Sequence, residues 1–110
     1  MVLAAYGGCR MFPQLIRCNV KPDAWGQLEE LLRRWQREQA PKAPGFKGEY
    51  LLREKGSPNG CIQVVLFEDE QLAQQNSSRP ETNQYYREML QLIEGEPQFI
   101  DTEVVHSYLV

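Results

Sequence analysis

The sequence is poor in the residues from which metal centres and covalent sites are built. His106 is its only histidine, and its three cysteines, Cys9, Cys18 and Cys61, include no CxxC pair. A metal site with several histidines is therefore excluded within one chain, and neither a disulfide framework nor a zinc site is favoured. We accordingly predict that the protein holds no metal and resides in the cytoplasm, where unpaired cysteines are common.

Long apolar runs and blocks of like charge are also missing. No segment approaches the roughly 20 apolar residues that span a bilayer. The 12 basic and 15 acidic residues give a net charge of −3 and form no basic cluster. We therefore expect neither a membrane nor a nucleic acid as partner. The 110 residues, 42% of them hydrophobic, suit one globular domain.

Hydrophobic periodicity in the first half predicts a strand, a helix and a hairpin. Alternation favours a strand over Phe12–Val20, and apolar residues at helical spacing predict an amphipathic helix that follows Pro22 and ends near Ala40. Two further strands are predicted over Phe46–Glu54 and Cys61–Glu68. The turn between them contains Asn-Gly, which indicates an antiparallel hairpin.

The second half predicts two helices and a last strand. Asp69–Gln75 suits a short helix, and Ser78–Glu81 matches a capping box at the start of a longer one. The apolar stripe of the longer helix runs to Ile93, before Gly95 and Pro97. The final segment, residues 98–110, is β-branched and aromatic enough for a strand.

This order predicts an α+β, ferredoxin-like βαββαβ domain over residues 12–110, with a flexible extension at residues 1–11. Both helices should cover one face of a four-stranded antiparallel sheet. The other face is also apolar, since Ile62, Val64 and Leu66 alternate with inward residues. Monomers seldom expose such a patch, so we expect a homodimer that packs sheet against sheet.

Three features of the sequence resemble the antibiotic biosynthesis monooxygenase family of dimeric α/β barrels. They are Asn19 in the first strand, Pro44-Gly45-Phe46 before the second, and residues 64–70, VVLFEDE. The resemblance covers roughly residues 13–107. It implies a monooxygenase that needs no cofactor and acts on a small aromatic or quinol-like substrate. Haem-degrading members use a histidine from the second long helix, which this chain lacks.

The resemblance and the residue chemistry together nominate six site residues. Asn19 matches the family's first-strand asparagine and would orient a substrate or oxygen species. His106 is the candidate general base, and Tyr85 the candidate proton relay. The predicted substrate-binding residues are Tyr50, Phe67 and Tyr86. Phe67 stands where many family members carry tryptophan.

Two other classes of function stay open on the sequence alone. The same fold could serve as a non-catalytic small-molecule-binding or interaction module, or it could support isomerase or lyase chemistry if an acid–base pair were present. For Arg17 and Arg53 we predict cross-strand pairs with Glu49, Asp101 or Glu103. Trp25 and Trp35 are predicted to serve packing.

Overall fold

The computed structural model describes residues 11–110, which form a four-stranded sheet covered by helices. The strands are β1 (Phe12–Val20), β2 (Phe46–Arg53), β3 (Gly60–Phe67) and β4 (Ile93–Ile100). The α-helices are α1 (Trp25–Glu38), α2 (Glu70–Ser77) and α3 (Pro80–Leu90), and a 3-10 turn spans Ala40–Lys42. The strand order is β2-β3-β1-β4, and all neighbours are antiparallel. The predicted ferredoxin-like α+β fold is confirmed. Most of the predicted extension, residues 1–10, lies outside the described residues.

The helices pack against one face of the sheet because alternate strand residues point toward them. In β1, Ile16, Cys18 and Val20 are buried, whereas Arg17 and Asn19 between them are exposed. The buried residues nearest the start of α1 form one core cluster with the end of α3: Cys18, Val20, Ala24, Leu28, Leu31, Cys61, Met89 and Ile93. The predicted amphipathic helix therefore buries the stripe that its spacing indicates.

A second, smaller core cluster lies at the other end of β3. Phe67 is fully buried, and the cluster also contains Val65 and Ala73. The ring of Phe46 contacts Phe67 edge-on at a centroid distance of 5.8 Å and Trp35 at 5.0 Å. Such edge-to-face contacts add to the free energy gained by burying the rings.

Gly45 allows β2 to begin close to this second cluster. Its φ of +80° lies in the left-handed region, and a Cβ built there would stand 2.5 Å from Leu72 Cδ1. Both the backbone angle and the contact require glycine at this position. The Pro-Gly-Phe segment noted in the sequence thus places the ring of Phe46 against the rings of Trp35 and Phe67.

The prediction of a last strand over residues 98–110 is wrong in its boundaries. β4 begins at Ile93 and ends at Ile100, and residues 101–110 have no regular secondary structure. Arg17 pairs with Gln98 and Asn19 with Glu94, so residues 95–97 bulge opposite Cys18. Gly95 takes a φ of +70° there. A strand at the edge of a sheet tolerates Gly and Pro at a bulge, which is why the pair does not end it.

The predicted capping box is also wrong. Ser78 is the C-terminal cap of α2, and its hydroxyl donates to the Gln74 carbonyl oxygen at 3.1 Å. α3 begins at Pro80 without a side-chain cap. A side-chain cap is found instead at the start of α2, where Asp69 accepts a hydrogen bond from the Leu72 N–H at 2.9 Å. The serine hydroxyl is already bonded within α2, so it is not available to start α3.

We predict that Phe67→Ala lowers the free energy of unfolding by about 3–5 kcal/mol, because it leaves a cavity beneath Phe46. Phe99→Ala removes the same ring from a side chain that is 53% exposed, and we expect it to cost about 1 kcal/mol or less. Urea denaturation followed by circular dichroism measures both. Equal losses for the two variants would contradict the burial described here.

Candidate functional site

A pocket of about 340 Å³ lies between the sheet and the helices. Its floor comes from β1 and β3, its walls from α1 and α3, and one end from the last turn of α2. The volume falls within the range of roughly 300–1,000 Å³ typical of small-molecule sites. The apolar and aromatic lining residues are Ile16, Leu31, Leu32, Trp35, Val65, Tyr85, Tyr86, Met89 and Phe99. This lining suits a small, flat, apolar ligand.

The α2 end of the pocket is polar. Asn76 is only 5% exposed, and its Oδ1 accepts hydrogen bonds from Thr82 Oγ1 at 3.0 Å and Arg79 Nη1 at 3.4 Å. Trp35 donates a long hydrogen bond of 3.5 Å from Nε1 to Thr82 Oγ1. Within residues 11–110, the Asn76 amide nitrogen donates to no protein acceptor. It can therefore donate to a ligand oxygen.

Glu49 places a carboxylate on the β2 side of the pocket. Its register partner is Val65, so its side chain is on the helix-facing side of the sheet. Glu49 Oε1 accepts from Gln63 Nε2 at 3.1 Å, and Oε2 accepts from Gln36 Nε2 at 3.0 Å. Two neutral amides therefore hold this carboxylate in place.

The predicted pairing of Arg17 and Arg53 with Glu49 or the acidic residues near the C-terminus is wrong. Arg17 Nε contacts Glu54 Oε1 at 2.8 Å. The guanidinium of Arg53 stacks 4.4 Å from the ring centroid of Trp25. Arg17 pairs with Ile62 and therefore lies on the face of the sheet opposite Glu49. Arg53 shares Glu49's face but is four residues, or roughly 13 Å, farther along the strand.

The structure brings Tyr85 and Tyr86 to the pocket together. The Tyr85 hydroxyl donates to Glu38 at the outer rim. This hydrogen bond raises the pKa of Tyr85. The Tyr86 ring lies 5.8 Å from that of Phe99, and burial, with a smaller effect of Glu96, raises the pKa of Tyr86. Burial therefore favours the neutral phenol of Tyr86 over its phenolate.

The other four predicted site residues lie elsewhere. Asn19 is exposed on the sheet face away from the helices, and Tyr50 is 61% exposed on that same face. His106 is exposed within residues 101–110, and Phe67 is buried under Phe46 without lining the pocket. Their functional roles stay predictions.

Several pocket residues were missed by sequence reasoning, namely Glu49, Asn76 and Thr82, while Trp35 was assigned to packing alone. The sequence contained one indication of a polar group in the pocket. The inward positions of β3 are Cys61, Gln63, Val65 and Phe67, and Gln63 is the single polar member. A polar residue at an inward strand position needs a hydrogen-bond partner, which here is Glu49.

Cys18 and Cys61 face each other across β1 and β3 as buried free thiols. Their mutual hydrogen bond and burial raise the pKa of Cys61, so it stays protonated. Residues 11–110 contain no group of three histidine, cysteine or acidic side chains placed to hold a metal. Within the same part of the chain, no helix is both long and apolar enough to cross a membrane.

No protein-family model matches the sequence, and no curated protein matches it. Several solved structures share its fold. SnoaB, a cofactor-independent oxygenase from Streptomyces nogalater, is similar with a TM-score of 0.67 and 18% identity, over 86% of this chain and 95% of that chain. An antibiotic biosynthesis monooxygenase gives 0.69 at 11% identity, over 88% and 100%. A conserved protein from Methanosarcina mazei gives 0.72 at 14%, over 87% and 94%.

These likenesses confirm the ferredoxin-like α+β fold of the single chain. At identities under one fifth they show that the fold is shared, and a shared fold hosts many functions. The arrangement of residues in the pocket carries the functional argument instead.

We predict that Tyr86→Phe makes stability less sensitive to alkaline pH. The raised pKa means that the folded chain holds the phenol proton more tightly than the unfolded chain does. This stabilisation is complete below the unfolded pKa of about 10 and is lost as pH rises through the higher folded value. Urea denaturation at a series of pH values should therefore show a steeper alkaline loss for wild type. Parallel curves for the two proteins would contradict the assignment.

Proposed function

We propose that this protein is a cofactor-independent monooxygenase that acts on a small, electron-rich hydroxylated aromatic compound. The observation that carries the proposal is the pocket, with its aromatic walls, a carboxylate at β2 and a buried amide donor at α2. The fold likeness to SnoaB, itself named a cofactor-independent oxygenase, supports the same choice.

The proposed reaction needs few groups from the protein. A phenolic substrate becomes electron-rich once its hydroxyl proton leaves, and it can then reduce dioxygen itself. One oxygen atom bonds to a ring carbon, and the other leaves as water with two substrate hydrogens. The substrate supplies all four electrons, so a phenol becomes a quinone and a naphthoquinol becomes a hydroxynaphthoquinone. The protein excludes water, orients the ring and donates hydrogen bonds to developing negative charge. Asn76 and Tyr86 are the candidate donors in the pocket.

The alternative is a non-catalytic module that binds a small molecule in the same pocket. Its specific support is the location of Asn19 and His106, since neither lies at the pocket. Binding without oxygen consumption would favour this alternative.

The rate of oxygen uptake with a naphthoquinol as substrate tests the enzymatic activity directly. The protein is treated with a chelator beforehand, and the rate of autoxidation without protein is subtracted. We predict that Asn83→Trp, which fills the pocket from α3, lowers the rate by about a hundredfold through misplacement of the substrate. The matched control is Gln84→Trp, on the exposed side of the same helix, which should keep wild-type turnover. Labelled dioxygen should place one labelled atom in the product. Equal rates in both variants would place the reaction outside this pocket.

The paired variant Asn19→Ala/His106→Ala belongs in the same assay. Unchanged turnover would remove both residues from the mechanism, whereas a large loss would return them to it.

We also propose that two copies associate through the sheet face opposite the helices. Tyr50 and Leu52 are 61% and 43% exposed on this face. They adjoin a group of half-buried apolar residues from all the other strands, Leu15, Ile62, Val64, Leu66 and Ile100. A contiguous apolar patch of this kind is typical of an interaction surface.

Sedimentation equilibrium tests the association. We predict that wild type is a dimer and that Leu52→Asp weakens association about a hundredfold or more, because an unpaired carboxylate in an apolar contact is costly. Phe99→Asp is the matched control, since Phe99 is similarly exposed but lies on the helix-facing side. A monomeric wild type, or equal dissociation of both variants, would refute this face as the interface.

A further inference from the structure

Glu49 brings negative charge to the pocket without a cation beside it. The residues that line the pocket include no lysine or arginine. Among residues 11–110, Glu49 takes part in none of the salt bridges, and both arginines predicted to pair with it are engaged elsewhere. Its two hydrogen bonds come from neutral amides, Gln36 and Gln63. The amides fix the carboxylate in position but leave its charge in place.

The carboxylate has spare capacity to accept hydrogen bonds. Two carboxylate oxygens offer about four acceptor sites, of which the glutamines occupy two. Because Glu49 lines the pocket, a ligand can reach the remaining sites. A carboxylate accepts and cannot donate, so the ligand group that satisfies it carries a hydrogen.

The two polar regions of the pocket therefore favour different ligand groups. The amide nitrogen of Asn76 is a donor and suits a ligand oxygen that accepts a hydrogen bond. Glu49 suits a ligand hydroxyl. A flat aromatic ring between them would contact the apolar lining. This arrangement would orient a hydroxylated ring in one direction.

We propose that Glu49 binds the hydroxyl group of the aromatic substrate and takes its proton during turnover. The inference rests on the proposed function and identifies the residue that selects the substrate class. In the step, the substrate O–H bond breaks, its proton moves to a Glu49 oxygen and the bonding electron pair stays on the substrate oxygen. The ring then carries the electron density that reduces dioxygen.

Binding of naphthol and of its methyl ether tests the hydroxyl contact without relying on turnover. A charged acceptor should make wild type prefer naphthol by about ten- to hundredfold, measured by calorimetry. Glu49→Leu removes the acceptor, so its preference should fall to about twofold or less while ether binding persists. The matched control is Glu54→Leu, a half-buried glutamate outside the pocket, which should keep the wild-type preference.

Oxygen uptake with the naphthoquinol separates proton transfer from binding. Glu49→Gln keeps an oxygen that accepts the hydroxyl hydrogen bond but is a far poorer proton acceptor. We expect naphthol binding within about fivefold of wild type, because a neutral acceptor is only modestly weaker. The turnover rate should fall by about a hundredfold or more, the usual contribution of a general base.

The outcomes distinguish this proposal from the function on which it rests. Equal wild-type affinity for naphthol and its ether, or an undiminished preference in Glu49→Leu, would refute the Glu49 contact while leaving a monooxygenase pocket intact. Full turnover in Glu49→Gln would refute the proton transfer. Failure of wild type to bind either probe would overturn the proposed substrate class and the role of Glu49 with it.

Discussion

Eight consecutive residue pairs align β1 with β3, from Phe12 opposite Phe67 to Asn19 opposite Gly60. This register decides which side chains of the two central strands meet the helices. A slip of one residue would move the buried side chains of β1 to the outer face of the sheet. It would also turn Arg17 and Asn19 toward the core. Both core clusters and the pocket depend on it, since each is built on inward residues of these strands.

The pocket exists because the two core clusters do not meet. At one end of the sheet Leu28 and Met89 pack over the inward strand residues, and at the other end Phe46 packs over Phe67. Between them the inward residue of β3 is Gln63, whose amide turns toward Glu49 instead of filling the space beneath α1. This polar pair lines the free volume between the two clusters and brings a carboxylate there, which distinguishes the region from a closed apolar core.

Local pattern predicted the parts of the fold that local forces determine. The alternation in β1, the stripe of α1 and the Asn-Gly turn each encode their element within a few residues. The limits of β4 were missed because Gly95 and Pro97 end most elements, and only their place at a sheet edge permits the strand to continue through them. Ser78 was misassigned because a hydroxyl can serve the helix before it as well as the helix after it.

The site was harder to predict than the fold, since its residues come together only through tertiary packing. Tyr85 and Tyr86 were nominated because consecutive helix residues point about 100° apart, so that one ring could face inward; in the structure both line the pocket. Glu49 and Asn76 are distant in sequence and belong to no motif. Family resemblance directed attention to Asn19, which the alternation of β1 places on the face away from the helices.

The irregular edges of the sheet have a consequence for how the chain meets other chains. β4 carries a three-residue bulge containing Pro97, and the pairing of β2 with β3 is irregular between Phe46 and Gly48. A strand from another molecule needs a regular row of free N–H and C=O groups in order to add to a sheet. The bulge and Pro97 interrupt that row on β4, so this edge resists pairing with a strand of another molecule.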